Sequence, residues 1–125
     1  ARGGVLLDML SRLAVSPESV AGTRGVERAL DWMDTHFSAS VSVDDLAARA
    51  GMSCSHFRRL VKRHTGRSPR RYLTDIRLAR ARELLKQGLS VKETAHAVGF
   101  GDVFHFMRTF KARTGVTARE FATRH

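Results

Sequence analysis

Residues 43 to 66 and 91 to 115 are two divergent copies of one unit, and a chain that carries the same short pattern twice has few folds open to it. Val43, Ala47 and Gly51 align with Val91, Ala95 and Gly99. After one extra residue in the second copy, His56, Phe57, Arg59, Lys62, Thr65 and Gly66 match His105, Phe106, Arg108, Lys111, Thr114 and Gly115. The register persists through Arg70 with Arg119 and Thr74 with Thr123. A period of about 48 residues suggests a helical solenoid, but such arrays need roughly three repeats to bury a continuous core. Two small helical modules on one scaffold fit better.

Each copy predicts a short helix, a tight turn at Gly51 or Gly99, and a second helix over 54–64 or 103–113. The small Ala47 and Ala95 let two helices approach closely, and glycine permits the backbone of a sharp turn. This is the grammar of a helix-turn-helix. Helix starts carry hydroxyl caps with an acid three residues on, at Ser42 with Asp45, Ser90 with Glu93 and Thr117 with Glu120. Such pairs satisfy backbone donors that a helix start leaves orphaned. Ser53 and Asp102 cap the helices after the two glycine turns.

Between the copies, Ser68 and Pro69 start a long helix that runs to about Gln87 and stops at Gly88. At about 19 residues it spans roughly 28 Å, near the ~34 Å between successive major-groove faces. Leu73, Ile76, Leu78, Leu84 and Leu85 give it apolar faces for both units, and Arg70, Arg71, Arg77, Arg80 and Arg82 make it basic. Upstream, Val5, Leu6, Met9, Leu10 and Leu13 predict a short amphipathic helix. Residues 15 to 25, rich in Ser, Gly and Thr, read as a linker, and Val26, Leu30, Met33 and Phe37 open a further helix with Trp32 at its edge. The expected fold is therefore all-α, with two homeodomain-like helix-turn-helix subdomains (26–68 and 88–125) joined by a connector helix (69–87) and preceded by an N-terminal helix and linker (1–25). Seven helices and no strand are expected from Val26 onward.

Charge separates these parts. Residues 1 to 42 carry four Arg against five acids, whereas residues 43 to 125 carry 18 Lys plus Arg against seven acids. The basic excess belongs to the part that holds the repeat, which points to a polyanion partner or, less informatively, a solvated basic surface. A single cysteine, Cys54, excludes an internal disulfide framework. No apolar run approaches the roughly 18 residues of a membrane span and no signal peptide is read, so a cytoplasmic, nucleoid-associated location is expected. No phosphate-cradling glycine loop, carboxylate pair in an apolar setting or Cys/His cluster at metal-ligand spacing is present in the sequence. Neither catalysis, a cofactor nor a metal is expected. Cys54 reads as an oxidant sensor or as a passive small residue.

In a helix-turn-helix the second helix enters the major groove, while caps and basic side chains hold phosphates. In the first unit Phe57, Leu60 and Val61 form the inward stripe. That leaves Ser55, Arg58, Arg59, Lys62 and Arg63 to face outward or to flank that stripe, with Ser53 at the cap. Arginine can bind guanine O6 and N7 bidentately, and Lys62 and Arg63, farther along, suit phosphates. The second unit buries Phe100, Phe106 and Phe110 and presents Val103, Phe104, Met107 and Arg108, with Lys111 matching Lys62. Of the four, only Arg108 can read base edges by hydrogen bonds; the apolar three can contact thymine methyls or exclude water. Phe104 is equally compatible with the core, and His105 with a phosphate or a capping contact.

These stretches resemble the AraC/XylS family of bacterial transcription regulators. The carrying segments are DDLAARAGMSCSHFRRLVKRHTGRSPRRYL, IRLARARELL and VKETAHAVGFGDVFHFMRTFKARTGVTAREF, within residues 43 to 121. The resemblance implies two helix-turn-helix units joined by a long helix, binding double-stranded promoter DNA in adjacent major grooves. It places Ser55, Arg58 and Arg59 at base-reading positions of the first unit and Val103, Phe104, Met107 and Arg108 at those of the second. Ala118 stands where the family usually has Pro, and Val61 where it usually has a large aromatic. The family usually sets a sensing or dimerisation domain before this module, and VLLDMLSRLAV is similar to the helical end of one. The resemblance thus implies an output domain whose small-molecule effector binds elsewhere, with RNA polymerase as a further partner and activation as the more common outcome. The alternative is a protein that binds nucleic acid without reading sequence.

Overall fold

The computed structural model describes residues 17–124, with side-chain surroundings from residue 23 onward. Seven α-helices follow in order: α1 (Pro17–His36), α2 (Val43–Ala50), α3 (Cys54–Thr65), α4 (Pro69–Lys86), α5 (Val91–Ala97), α6 (Val103–Thr114) and α7 (Ala118–Arg124). There is no strand among the described residues. The helix expected over residues 5–13 lies outside them.

The linker expected over 15–25 is corrected: from Pro17 onward this stretch is the first part of α1. Proline suits the first position of a helix, where its missing N–H costs nothing. Gly25 is buried, and a Cβ there would stand 2.7 Å from the Ala50 carbonyl oxygen. A glycine that reads as loop is thus the point at which α1 presses on the end of α2, and that packing overrides its poor helix propensity. Farther along the same interface Trp32 lies between His36, stacked at 4.4 Å, and the Arg49 guanidinium, 4.3 Å from the ring centre.

The caps form as expected. Ser42, Ser53 and Ser68 accept from the backbone N–H groups of Asp45, His56 and Arg71 at 3.1, 3.2 and 3.2 Å. Ser90 and Glu93 close a reciprocal box, each accepting at 3.0 Å from the other's backbone. That backbone donor holds the Glu93 carboxyl below the usual carboxylate range. Asp102 accepts from Phe104 N–H at 2.9 Å, and Thr117 from Glu120 N–H at 3.0 Å. Without the usual proline, Ala118 still begins α7 and is buried.

Two cores result. The first gathers Val26, Leu30, Met33, Leu46, Phe57, Val61 and Leu73. The second gathers Leu78, Leu85, Val98, Phe100, Phe106 and Phe110. A chain of tilted rings runs through the second, Phe100 to Phe106 at 5.2 Å, on to Phe110 at 5.8 Å and to Phe121 at 5.6 Å. Among the described residues one buried side-chain polar atom breaks the rule that buried groups are paired: Thr94 Oγ1 has no hydrogen-bond partner. Its counterpart in the first copy is the apolar Leu46. Thr94→Val keeps the shape and removes the unpaired hydroxyl, so it should stabilise the fold by about 1 kcal/mol. A chemical-denaturation midpoint that does not rise would show that the hydroxyl is solvated.

The connector α4, 18 residues long and about 27 Å from end to end, serves both cores. Leu73 and Ile76 belong to the first, and Leu78, Ala81 and Leu85 to the second. Its midpoint also holds two charged residues, Asp75 and Arg77, which lie about 200° apart around the helix and so leave it on nearly opposite sides. Arg77 is not part of the outward basic surface that the sequence suggests. Its Nε donates to Phe37 O at 2.6 Å and its Nη2 to Ala39 O at 3.0 Å, and its guanidinium lies 5.9 Å from the Phe100 ring centre. Burial pulls its pKa below the usual guanidinium value. Asp75 pairs with Arg67 at 3.1 Å and with Arg113.

Candidate nucleic-acid interface

The second helices of the two units, α3 and α6, are built alike. Each opens on a side-chain cap, Ser53 for α3 and Asp102 for α6, and each ends at a glycine with positive φ, Gly66 at 79° and Gly115 at 85°. Before that glycine a threonine hydroxyl turns back on its own helix, Thr65 to Val61 O at 2.8 Å and Thr114 to Phe110 O at 2.7 Å. Each helix sinks two residues four apart, Phe57 with Val61 and Phe106 with Phe110. Anchoring one face in this way fixes which side chains the opposite face offers.

On α3 the exposed stripe at i, i+4 and i+7 is Ser55, Arg59 and Lys62, with Arg63 and His56 exposed beside it. Arg59 Nη2 stands 3.5 Å from His56 Nδ1. Arg58 is exposed but leaves the helix toward its flank, where it lines a groove of about 470 Å³ with Asp44, Arg70, Thr74 and Arg77. Ser53 is exposed at the helix start, its hydroxyl oxygen engaged by the His56 N–H.

On α6 the equivalent stripe is Phe104, Arg108 and Lys111, all exposed. Phe104 is 66% exposed, the one large hydrophobic side chain left open among the described residues, so its alternative place in the core does not hold. Val103 and Met107 are half-buried and pack against the second core. Of the three apolar residues expected toward the groove, Phe104 alone is exposed, beside the cations Arg108 and Lys111. Residues 103 and 107 border the inward stripe of 106 and 110, which accounts for their partial burial. His105 is exposed and meets the Phe100 ring edge-on at 5.4 Å.

Arg67, Arg82 and Arg113 line another, smaller groove of about 320 Å³ around Asp75. Arg67 and Arg113 were not singled out in sequence, and Arg82 counted only among the basic residues of the connector. Cys54 donates its S–H to Asp44 Oδ1, and this hydrogen bond, followed by desolvation, raises its pKa. A thiol held protonated in this way is a poor redox sensor, which favours the passive reading. Among the described residues no three His, Cys, Asp or Glu side chains are placed to hold a metal ion, and no helix is long and apolar enough to cross a membrane.

The same arrangement occurs in known proteins. A family model described as a helix-turn-helix domain matches residues 46–124. The chain is 33% identical over 107 residues to the transcriptional activator RhaS of Klebsiella pneumoniae, a match that covers 85% of this chain and 38% of that protein. The chain thus spans about two-fifths of the length of that relative. Among solved structures it resembles the C-terminal domain of AraT, a response regulator from Geobacillus stearothermophilus, with a TM-score of 0.77 and 29% identity over 81% of this chain and 85% of that one. It also resembles the DNA-binding domain of the transcriptional factor AdpA, solved in complex with a target DNA, with a TM-score of 0.76 and 28% identity over 78% of this chain and 89% of that one. The duplicated motif, the two matching helix-turn-helix units and these matches together show that the chain belongs to the AraC/XylS family of helix-turn-helix transcription regulators and carries that family's DNA-binding domain.

Proposed function

We propose that the chain binds a specific double-stranded promoter sequence by laying α3 and α6 into adjacent major grooves on one face of the duplex. The observation that carries this reading is the matched pair of exposed stripes, Ser55, Arg59 and Lys62 on one helix and Phe104, Arg108 and Lys111 on the other. Equivalent Arg and Lys positions on two helices of one connector suit two grooves about one turn apart. The first residue of each stripe differs, a hydroxyl against a phenyl ring, so the two half-sites are read differently. Arg59 and Arg108 supply bidentate contacts to guanine, and Phe104 contacts a thymine methyl and excludes water. Ser53, Lys62, Arg63 and Lys111 hold phosphates, and Arg58, from its flank, contacts the backbone or the edge of the first half-site.

RhaS is a transcriptional activator, which supports activation of transcription as the outcome. RNA polymerase is then the protein partner, and the small-molecule effector binds a separate domain. The division of labour along α3 is testable on a duplex selected by the wild-type chain and on random duplex. Arg59→Ala should lose about 2 kcal/mol on the selected duplex and little on the random one. Lys62→Ala should weaken both alike and reduce the slope of log K against log salt by about 1. Equal losses for both variants on both duplexes, or binding that ignores salt, would contradict the proposal and favour a protein that does not read sequence.

A further inference from the structure

Each recognition helix is anchored in its own core, Phe57 and Val61 in the first and Phe106 and Phe110 in the second. Neither core by itself fixes how one unit is turned about the connector relative to the other. What crosses between them is gathered at the connector midpoint. Asp75 Oδ2 lies 3.1 Å from Nη1 of Arg67, the first residue beyond the Gly66 cap of α3, and its Oδ1 meets Nη2 of Arg113 in the last turn of α6. One carboxylate, its side chain 20% exposed, therefore holds the ends of both recognition helices. On the other side of α4, Arg77 grips the loop after α1, and Ser38 of that loop lies against Gly99, the turn glycine of the second unit. Phe37 packs against both cores.

We infer that Asp75 is a positioning residue that sets which spacing of DNA half-sites the chain accepts, by tying both recognition helices to one point of the connector. The inference rests on the two-groove reading above. Inserting one base pair between half-sites moves the second by about 3.4 Å and turns it by about 35°. A tied pair of helices cannot follow that displacement, whereas a pair free to turn about α4 can. Asp75→Asn keeps the shape and removes the charge that serves two guanidinium groups. Arg113→Met cuts the tie from the second unit only.

The test measures Kd for a duplex selected from a random pool by the wild-type chain and for the same duplex with one base pair inserted between the half-sites. The wild type should lose ~30-fold or more on insertion, comparable with a mismatched base pair or two. Asp75→Asn and Arg113→Met should bind the selected duplex more weakly but lose only ~5-fold on insertion. Val26→Ala, which loosens the first core away from the tie, should keep the wild-type ratio. A wild-type ratio in Asp75→Asn overturns the inference and leaves two-groove docking intact. A flattened ratio in Val26→Ala also overturns it, by tracing the effect to general loosening. A wild type indifferent to the insertion overturns the docking reading itself. If Asp75→Asn does not fold, Arg113→Met decides by the same ratio.

Discussion

Replacing Gly99 by alanine should destabilise the domain by about 3 to 4 kcal/mol, while the same change at Gly51 should cost only about 1 kcal/mol. The two glycines are equivalent in the repeat, and both have positive φ, 75° at Gly51 and 96° at Gly99. Their surroundings differ. A Cβ on Gly51 meets nothing within 4 Å, so alanine there carries the backbone strain alone. A Cβ on Gly99 would stand 2.8 Å from Ser38 O and 2.9 Å from Ser38 Cα, which are backbone atoms of a loop that cannot swing aside as a side chain would. Moving that loop also pulls Phe37 O and Ala39 O away from Arg77. Thermal unfolding should show the contrast as losses in Tm of ~15 °C against ~5 °C. Equal losses would mean that the loop yields freely and is no part of the joint between the units.

Arg77→Met should cost about 2 to 3 kcal/mol although it retains the length and much of the apolar stem. Hydrogen bonds from a charged donor contribute about 1.5 to 3 kcal/mol each, and methionine offers none to Phe37 O or Ala39 O. Ala39 is exposed, so water can replace one of these bonds, and Phe37 is half-buried, so its carbonyl bears most of the loss. The cation over Phe100 is lost as well. Arg77→Lys should recover only part, because an ammonium cannot span two carbonyls in the fixed fork of a guanidinium. Chemical denaturation of the three proteins measures this order. A methionine variant as stable as the wild type would return Arg77 to the solvated basic surface that the sequence suggested.

The contrast between Arg77 and the caps shows where the sequence was readable. Ser42, Ser53, Ser68, Ser90, Asp102 and Thr117 act on backbone two or three residues away, so spacing alone reveals them. Inward stripes of Phe57 with Val61 and Phe106 with Phe110 follow from helical period for the same reason. Arg77 finds its partners 38 and 40 residues away in an irregular loop, and nothing in its neighbourhood along the chain marks it. Gly25 was misread for a similar reason: in sequence a glycine near serines signals a linker, but here it admits the backbone of α2. Asp75 is one acid among many arginines in sequence, and only the fold brings Arg67 and Arg113 to it from opposite halves. The exposed stripes were legible in outline, but Val103 and Met107 sit at the edge of the buried face, where periodicity does not decide.

The central claim is that one chain reads two half-sites with two unequal helices. Selection of bound duplexes from a random pool by the unmodified chain tests it most directly. The account predicts two separately enriched half-sites about 10 base pairs apart centre to centre, of different sequence, with Arg59→Ala relaxing one and Arg108→Ala the other. A single enriched block relaxed by only one of these substitutions, or no enrichment over the starting pool, would contradict it.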